Sequence, residues 1–536
     1  MENSTVPMPK RLAGIGLAAI CIIVSCLIPG SEELSHQGIM CLGLLLSLVC
    51  LWTTSAVPVG ITALFTLVML PIIGVLESAS TAFVGFGSSA LFFIIAVFAM
   101  PAVMMKTHWG VRLISVLLKR TGTDSTKLVL AFMIATALVS TVMSDVPCTV
   151  LFLGFALAIL KAADAKPLQS NLGRCLMIGV PVASVTGGIA TPAGSSFNVV
   201  AMNVMQQITG QTISFFDWMI VGLPLVIIMV PVCWFSITRI IKPEPITEAV
   251  FADIRKEAEE AKTVSPFEIK AILVIVLMVV LWIAGNWIPV FNTTIVALVG
   301  LIVMFVPGMD LITWKEFQSA VPWGIVIMCG AIFTLGGVVE STGGATFLAN
   351  LFMNSGVTSL GFFGSIAVLM TLVYILHTLC PIGAAILAIF IPIMITLCAS
   401  FGVSPAVPTI ALAIVVAGNV LLPVNPTVML TYGEGYYTFG DMFKTGVVPA
   451  IILIYSSRSG FPSSWGCWAS RATVAKLCPL SRQAGKADRA RRHCDGSHRA
   501  MASVVPGIVC MKILAVCNYL WDDSPIESNW KERHVA

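Results

Sequence analysis

The sequence predicts an all-α polytopic membrane protein of two inverted-topology repeats, each with a re-entrant helical hairpin and a discontinuous helix. Three observations lead there. Of 536 residues, 57% are hydrophobic and only 10% are charged, against roughly 25% charged in soluble domains, and the mean hydropathy is +0.97. So little charge cannot cover a soluble globule of this length, which excludes a cytosolic enzyme and a disordered chain. Second, four apolar runs are too long for one pass and are interrupted near their middles by Pro, Gly, Ser or Asn. Third, the spacing of Gly and Pro recurs: Gly110, Gly122 and Pro147 return as Gly344, Gly356 and Pro381, each 234 residues later.

Taken in order, residues 1–36 hold a first transmembrane helix behind Lys10 and Arg11. Without an A-x-A cleavage site it reads as a retained span, not a signal peptide. Residues 37–241 form the first repeat, with apolar runs at about 37–53, 57–76, 88–105, 126–160, 175–208 and 217–238. A spanning helix needs about 20 apolar residues. The runs 126–160 and 175–208 exceed one pass, and interruption is how a hairpin or a broken helix looks in sequence. Residues 242–266 carry Arg255, Lys256, Glu257, Glu259, Glu260 and Lys262 and read as a solvated cytoplasmic linker. The second repeat, 267–454, has runs near 267–288, 292–307, 322–340, 358–400, 406–436 and 446–455.

The basic clusters place the linker, Lys10–Arg11, Lys106–Arg120 and Lys161–Arg174 in the cytoplasm, and the segment 30–36, which has no Lys or Arg, outside. An odd number of crossings then separates the copies, so the second is upside down. WGVRLISVLLKRTG (109–122) parallels GGATFLANLFMNSG (343–356), and the basic residues of the first are absent from the second. After residue 454 the character changes: 12 of the chain's 30 Lys and Arg lie between Tyr455 and Ala536. That atypical polar tail, 455–536, reads as a shift of reading frame that truncates the last helix. The fifteen Cys sit mostly in apolar runs and read as packing. The net charge of +4 gives no nucleic-acid surface.

Chemistry concentrates at the interruptions. The first hairpin turns at Ser140-Thr-Val-Met-Ser144-Asp145-Val146-Pro147, and the first break reads Gly187-Gly188-Ile-Ala190-Thr191-Pro192-Ala-Gly194-Ser195-Ser196-Phe-Asn198. A broken ladder frees carbonyls that suit a small cation, while helix N-termini attract anions. Asp145 is an acid far from any Lys or Arg in an apolar run. Such a residue is expensive and functional by default, either coupling a cation or proton or capping the helix that Pro147 begins. Thr191 and Ser195, flanked by Pro and Gly, read as ligand contacts. Thr62 and Thr136, in unbroken runs, read as structural, as does His377. Trp52, Trp109, Trp287 and Trp323 read as interfacial anchors. The second half supplies Thr378-Leu379-Cys380-Pro381 and Gly418-Asn419-Val-Leu-Leu-Pro423-Val-Asn425-Pro426-Thr427.

The motifs LWTTSAVPVGITALFTLVMLP, GGIATPAGSSFN and ITWKEFQSAVPWG, with the duplicated hairpin and broken helix, resemble the divalent anion:sodium symporters over about residues 10–454. The resemblance implies a sodium ion as coupling ion, a small organic anion (a di- or tricarboxylate) as substrate, an elevator-type cycle and a homodimer. It aligns Ser144 and Asp145 with the Ser and Asn of the family's Ser-Asn-Thr tip. It places sodium at Ser140, Ser144, Asp145 and the carbonyl of Ala190, and substrate at Ser144, Asp145, Thr191, Ser195, Thr378 and Asn425. Departures are Asp for Asn at 145, Val146 for Thr, and Thr378-Leu379-Cys380 at the second tip. A proton-coupled carrier or anion exchanger is the alternative. An intramembrane hydrolase is disfavoured, because neither G-x-S-x-G nor H-E-x-x-H occurs.

Overall fold

Inside a bilayer every backbone polar group must find an internal partner, and an apolar helix achieves this within one segment. The computed structural model describes residues 7–54, 56–108, 124–245, 264–285, 287–379, 383–400, 403–423 and 425–458, and these form helices and connections with no strand among them. Seven described helices are long and apolar enough to cross a membrane: Met8–Leu27, His36–Thr53, Asp145–Ala162, Phe215–Ile240, Pro266–Ala284, Trp323–Ser341 and Phe439–Ser456. Shorter apolar helices stand between them, Val59–Ile72, Ser125–Ser140, Thr293–Phe305 and Ala406–Ala417 among them. The chain is a multi-pass membrane protein.

The order of helices in the first half recurs in the second. His36–Thr53 is answered by Pro266–Ala284, Val59–Ile72 by Thr293–Phe305, and the pair Ser89–Val97 and Ala99–Met104 by Trp323–Ser341. Val59 and Thr293, like Ser89 and Trp323, stand 234 residues apart, the spacing of the Gly and Pro pattern. A helical hairpin follows in each half, Ser125–Ser140 with Asp145–Ala162 and Gly361–Leu379 with Gly383–Ser400. Next comes an interrupted helix, Asn171–Gly188 with Ser196–Thr209 and Ala406–Ala417 with Pro426–Tyr432, and each half closes on a long helix, Phe215–Ile240 or Phe439–Arg458.

Polar side chains fix the helix ends. Ser214 with Asp217, Ser265 with Glu268 and Thr313 with Glu316 form reciprocal caps. At one group of ends Ser35 Oγ donates to the Thr342 carbonyl at 3.0 Å and Gln37 reaches the Gly74 carbonyl. At another, Lys106 Nζ lies 2.5 Å from Glu316 Oε1, and the His108 N–H donates to Glu268 Oε1 at 2.6 Å. The beginning of the linker is tied down as well. The Glu244 carboxylate accepts from the Ser170 hydroxyl and the Leu172 N–H, and its carbonyl accepts from Ser125 Oγ.

Three details differ from the expectations. The run 88–105 is two helices meeting at Phe98, because Pro101 has no N–H to continue the ladder. Trp52 is buried on the packed face of His36–Thr53, whereas Trp287 and Trp323 are exposed; Trp109 lies outside the described residues. The last apolar run, 446–455, belongs to a helix that starts earlier, at Phe439, and reaches Arg458, 20 residues in all. The remainder of the polar tail, residues 459–536, lies outside the described residues, as do Gly110, Gly122, most of the linker and Cys380–Ile382.

Candidate functional site

The first hairpin reverses over residues 141–144. Asp124 caps its first arm, accepting from the Thr126 and Lys127 N–H groups. The second arm begins at Asp145, and Pro147 fits its first turn, where a missing N–H costs nothing. Ser144 occupies the capping position, but its hydroxyl makes no cap. It donates to Asp145 Oδ1 at 3.2 Å, and the Val146 N–H donates to the same oxygen at 3.1 Å. The carboxylate thus sits over a helix N-terminus, whose dipole favours negative charge. Its other oxygen, Oδ2, accepts from Thr427 Oγ1 at 3.4 Å across 282 residues of sequence. Asp145 is buried, and none of the ion pairs among the described residues involves it.

The first broken helix holds the tip from beneath. Ser140 Oγ donates to the Ser184 carbonyl at 2.6 Å, and Ser184 Oγ donates to the Asp145 carbonyl at 2.7 Å. Thr191 Oγ1 donates to the Thr141 carbonyl at 2.5 Å and accepts from the Gly194 N–H at 3.1 Å. Only glycine fits at the crossing: a Cβ on Gly194 would lie 2.6 Å from the Gly188 carbonyl oxygen and 2.9 Å from that of Ser140. Breaking the helix frees carbonyls, and side chains claim several of them. Asn198 Nδ2 donates to the Gly188 and Thr191 carbonyls at 2.9 and 2.8 Å, and Trp218 Nε1 to that of Ile189 at 3.0 Å. Ala190, fully buried, donates its N–H to the Gly187 carbonyl. Two buried atoms, Ser195 Oγ and Asn198 Oδ1, have no hydrogen-bond partner.

The second half answers with different chemistry. Thr378 donates to the Tyr374 carbonyl, and Asn419 Nδ2 donates to Thr378 Oγ1 at 2.9 Å and to the Tyr374 carbonyl at 3.0 Å. His377 is buried, edge-on to Phe197 with ring centroids 5.9 Å apart. Asn425 caps Pro426–Tyr432, accepting from the Thr427 N–H at 3.0 Å, and so sets the helix whose Thr427 reaches Asp145. Thr62 and Thr136 donate to carbonyls four residues back, as ordinary helix hydroxyls do.

Of the residues singled out in the sequence, the structure gathers Ser140, Ser144, Asp145 and Thr191 at one tip and brings Asn425 to it through Thr427. Thr378 is joined to Asn419 instead. Three contributors went unmarked. Ser184 lies in an unbroken stretch, where a hydroxyl normally bonds its own helix. Thr427 stands two residues after the favoured Asn425, and Asn419 was quoted only as part of its run. The arrangement is a buried carboxylate that accepts from the Ser144 and Thr427 hydroxyls and the Val146 N–H, and Ser195, on the break in the first interrupted helix, has an unpartnered hydroxyl.

The chain is 25% identical over 478 residues to the sodium-dependent dicarboxylate transporter SdcS of Staphylococcus saprophyticus, covering 83% of this chain and 91% of the relative. It is 24% identical, again over 478 residues, to SdcS of Staphylococcus aureus, covering 83% and 90% of the two chains. Among solved structures, the Neisseria gonorrhoeae MtrF efflux pump aligns with a TM-score of 0.49 at 13% identity, covering 87% of this chain and 96% of that one. The Alcanivorax borkumensis YdaH transporter aligns with a TM-score of 0.47 at 14% identity, covering 86% and 98%. The model of the sodium:sulfate symporter transmembrane region matches residues 10–469, and the chain therefore belongs to that family of membrane transporters, not to an enzyme family.

Proposed function

We infer that this protein is a secondary active transporter that couples the inward movement of sodium to symport of a small organic anion of the di- or tricarboxylate class. The observation that carries the reading is Asp145, a buried carboxylate whose polar neighbours are Ser144, Val146 N–H and Thr427, with no cationic partner among the described residues. A carboxylate in a low-dielectric site needs compensation. A sodium ion supplies it, held by Ser140, Ser144, Asp145 and the Ala190 carbonyl. Once bound, that cation offsets the charge of an anion held by Ser144, Asp145, Thr191, Ser195, Thr378 and Asn425. Relatives named sodium-dependent dicarboxylate transporters support the same assignment.

In this reading the halves 37–241 and 267–454 are inverted repeats joined by the cytoplasmic linker 242–266. The two hairpins are re-entrant, and the hairpins with their broken helices move as one body against the remaining helices, in an elevator-type cycle within a homodimer. Reconstitution into liposomes, followed by uptake of labelled succinate, malate, citrate and sulfate with and without a sodium gradient, tests the assignment. Sodium-dependent uptake of a dicarboxylate or tricarboxylate is expected. Uptake that follows a proton gradient and ignores sodium would replace symport with sodium by proton coupling through the same Asp145.

A further inference from the structure

Two groups of helices are each fastened within themselves. In the group of hairpins and broken helices, Asn198, on the arm Ser196–Thr209, donates to the Gly188 and Thr191 carbonyls, and Thr191 donates to the Thr141 carbonyl of the first hairpin. In the group around them, residues 82–89 are tied to the second half. Gly85 donates its N–H to Thr334 Oγ1 at 3.0 Å, Thr334 Oγ1 donates to the Ala82 carbonyl at 2.9 Å, and Thr294 Oγ1 donates to the Ser89 carbonyl at 3.1 Å. One bond crosses from the first group to this wall: Asn203 Nδ2 donates to Ser88 Oγ at 2.6 Å, across 115 residues of sequence. No other hydrogen bond among the described residues joins the arm Ser196–Thr209 to residues 79–104 or 323–341.

That crossing bond is made by a half-satisfied amide. Asn203 is 4% exposed, and its carbonyl oxygen, Oδ1, has no partner. A buried acceptor left unmade is costly and offsets what the amide gains through its nitrogen, and a partly satisfied buried network holds less firmly than a complete one. Space lies beside it. A cavity of about 590 Å³ separates Asn203, Gln206 and Gln207 of the arm from residues of 81–89 and of 333–338. It has room for water to take over the Asn203 amide and the Ser88 hydroxyl when the two part, so opening this contact leaves neither group stranded. The hydrogen bonds within each group have no such partner waiting: Thr191 and Thr334 are buried.

We propose that the Asn203–Ser88 contact is a releasable catch, which holds the body of hairpins and broken helices against the surrounding helices in the arrangement seen here. The proposal rests on the elevator-type reading and names the contact that lets go when the body moves. One weak bond on a wall that is itself rigid suits that task. The catch fixes where the body rests, and a single hydrogen bond is small enough to be broken in every cycle.

In proteoliposomes at saturating sodium and succinate, Asn203→Ala and Ser88→Gly, the latter a residue tolerated at a helix cap, should each raise the maximal uptake rate per folded molecule by about two- to five-fold, as expected for loss of one hydrogen bond. The double variant should do no more than either single change, and Ser88→Thr, which keeps the hydroxyl, should match the unsubstituted protein. A bond that only stabilises the fold would lower the unfolding temperature without raising the rate, so level or falling rates, or effects that add, would overturn the proposal. A second readout joins the two positions. In the variant carrying Ser88→Cys and Asn203→Cys, copper phenanthroline takes one electron from each thiol as its proton is lost, and the sulfurs join as a disulfide. Uptake should stop on oxidation and return with dithiothreitol, while the single cysteine variants stay unaffected. Uptake that persists in the cross-linked protein, or failure of the pair to cross-link, would overturn the catch. Absence of uptake by the unsubstituted protein, with cross-linking of the pair intact, would instead count against the symport reading.

Discussion

Each half's hairpin meets the other half's broken helix, and the two meetings differ in kind. At the first crossing, Asp145 of the first hairpin accepts from Thr427 of the second broken helix. At the other, Phe197 of the first broken helix stands edge-on to His377 of the second hairpin, and an added Cβ at Gly383 would lie 2.8 Å from the same ring. Phe197 and Thr427 hold corresponding places, each the second residue of the helix resuming after a break. The same order of hairpin and broken helix thus carries a carboxylate crossing and an aromatic one. The difference teaches that a recurring order of helices does not fix the chemistry placed on it. The buried carboxylate lies at the Asp145 crossing, while the Phe197 crossing supplies packing.

The sharpest way to break that contrast is Asp145→Asn, which keeps the shape and removes the charge. Sodium-dependent uptake should fall about 100-fold, as expected for loss of one partner of a buried charge pair, whereas His377→Gln, at the other crossing, should change it less than about three-fold. Equal losses would mean that both crossings carry the ion.

Next in size is the glycine contrast. Gly194→Ala forces a Cβ onto the backbone of Gly188 and Ser140 and should cost about 1–3 kcal/mol in thermal unfolding of the purified protein. Gly154→Ala, in the second arm of the first hairpin, should cost far less, because an added Cβ there would meet nothing within 4 Å. Smaller again, Thr427→Val removes one hydrogen bond to Asp145 and should raise the half-saturating sodium concentration about three- to ten-fold. Phe197→Leu should leave that concentration unchanged while lowering stability by about 1 kcal/mol.

The smallest effect belongs to the contact between Lys106 and Glu316, away from both crossings. The Lys106 ammonium, helped by the Thr313 N–H, holds the Glu316 carboxyl down to about 2. Its stabilisation is therefore complete above the ordinary carboxylate range near 4.3 and is lost as pH falls toward 2. Because the pair is exposed, Glu316→Gln should lower the unfolding temperature only slightly, less at high salt than at low salt, and leave sodium dependence untouched.

The order of helices was legible because it is a matter of spacing: Gly and Pro mark backbone breaks directly, so a pair of helices and an interrupted helix could be expected before any contact was known. Asp145 was legible because charge is rare in an apolar run. Its partner was not, since Thr427 lies 282 residues away and nothing local separates a hydroxyl that reaches across halves from one that bonds its own helix. Thr191 shows the same limit. Its place beside Pro192 marked it as special, but the structure has its hydroxyl stitching the break to the hairpin turn. Trp52 was misjudged because a position near a run's end does not say which face of the helix is covered. The last helix was underestimated because its first turns, from Phe439, contain Asp441 and Lys444 and so fall outside an apolar run.

The most direct test is binding of radiolabelled sodium to the purified protein without substrate, comparing the unsubstituted chain with Asp145→Asn and with His377→Gln. Saturable binding that Asp145→Asn abolishes and His377→Gln preserves is the expected result. Undiminished binding to the Asp145→Asn protein would contradict the assignment of the coupling ion to the first crossing.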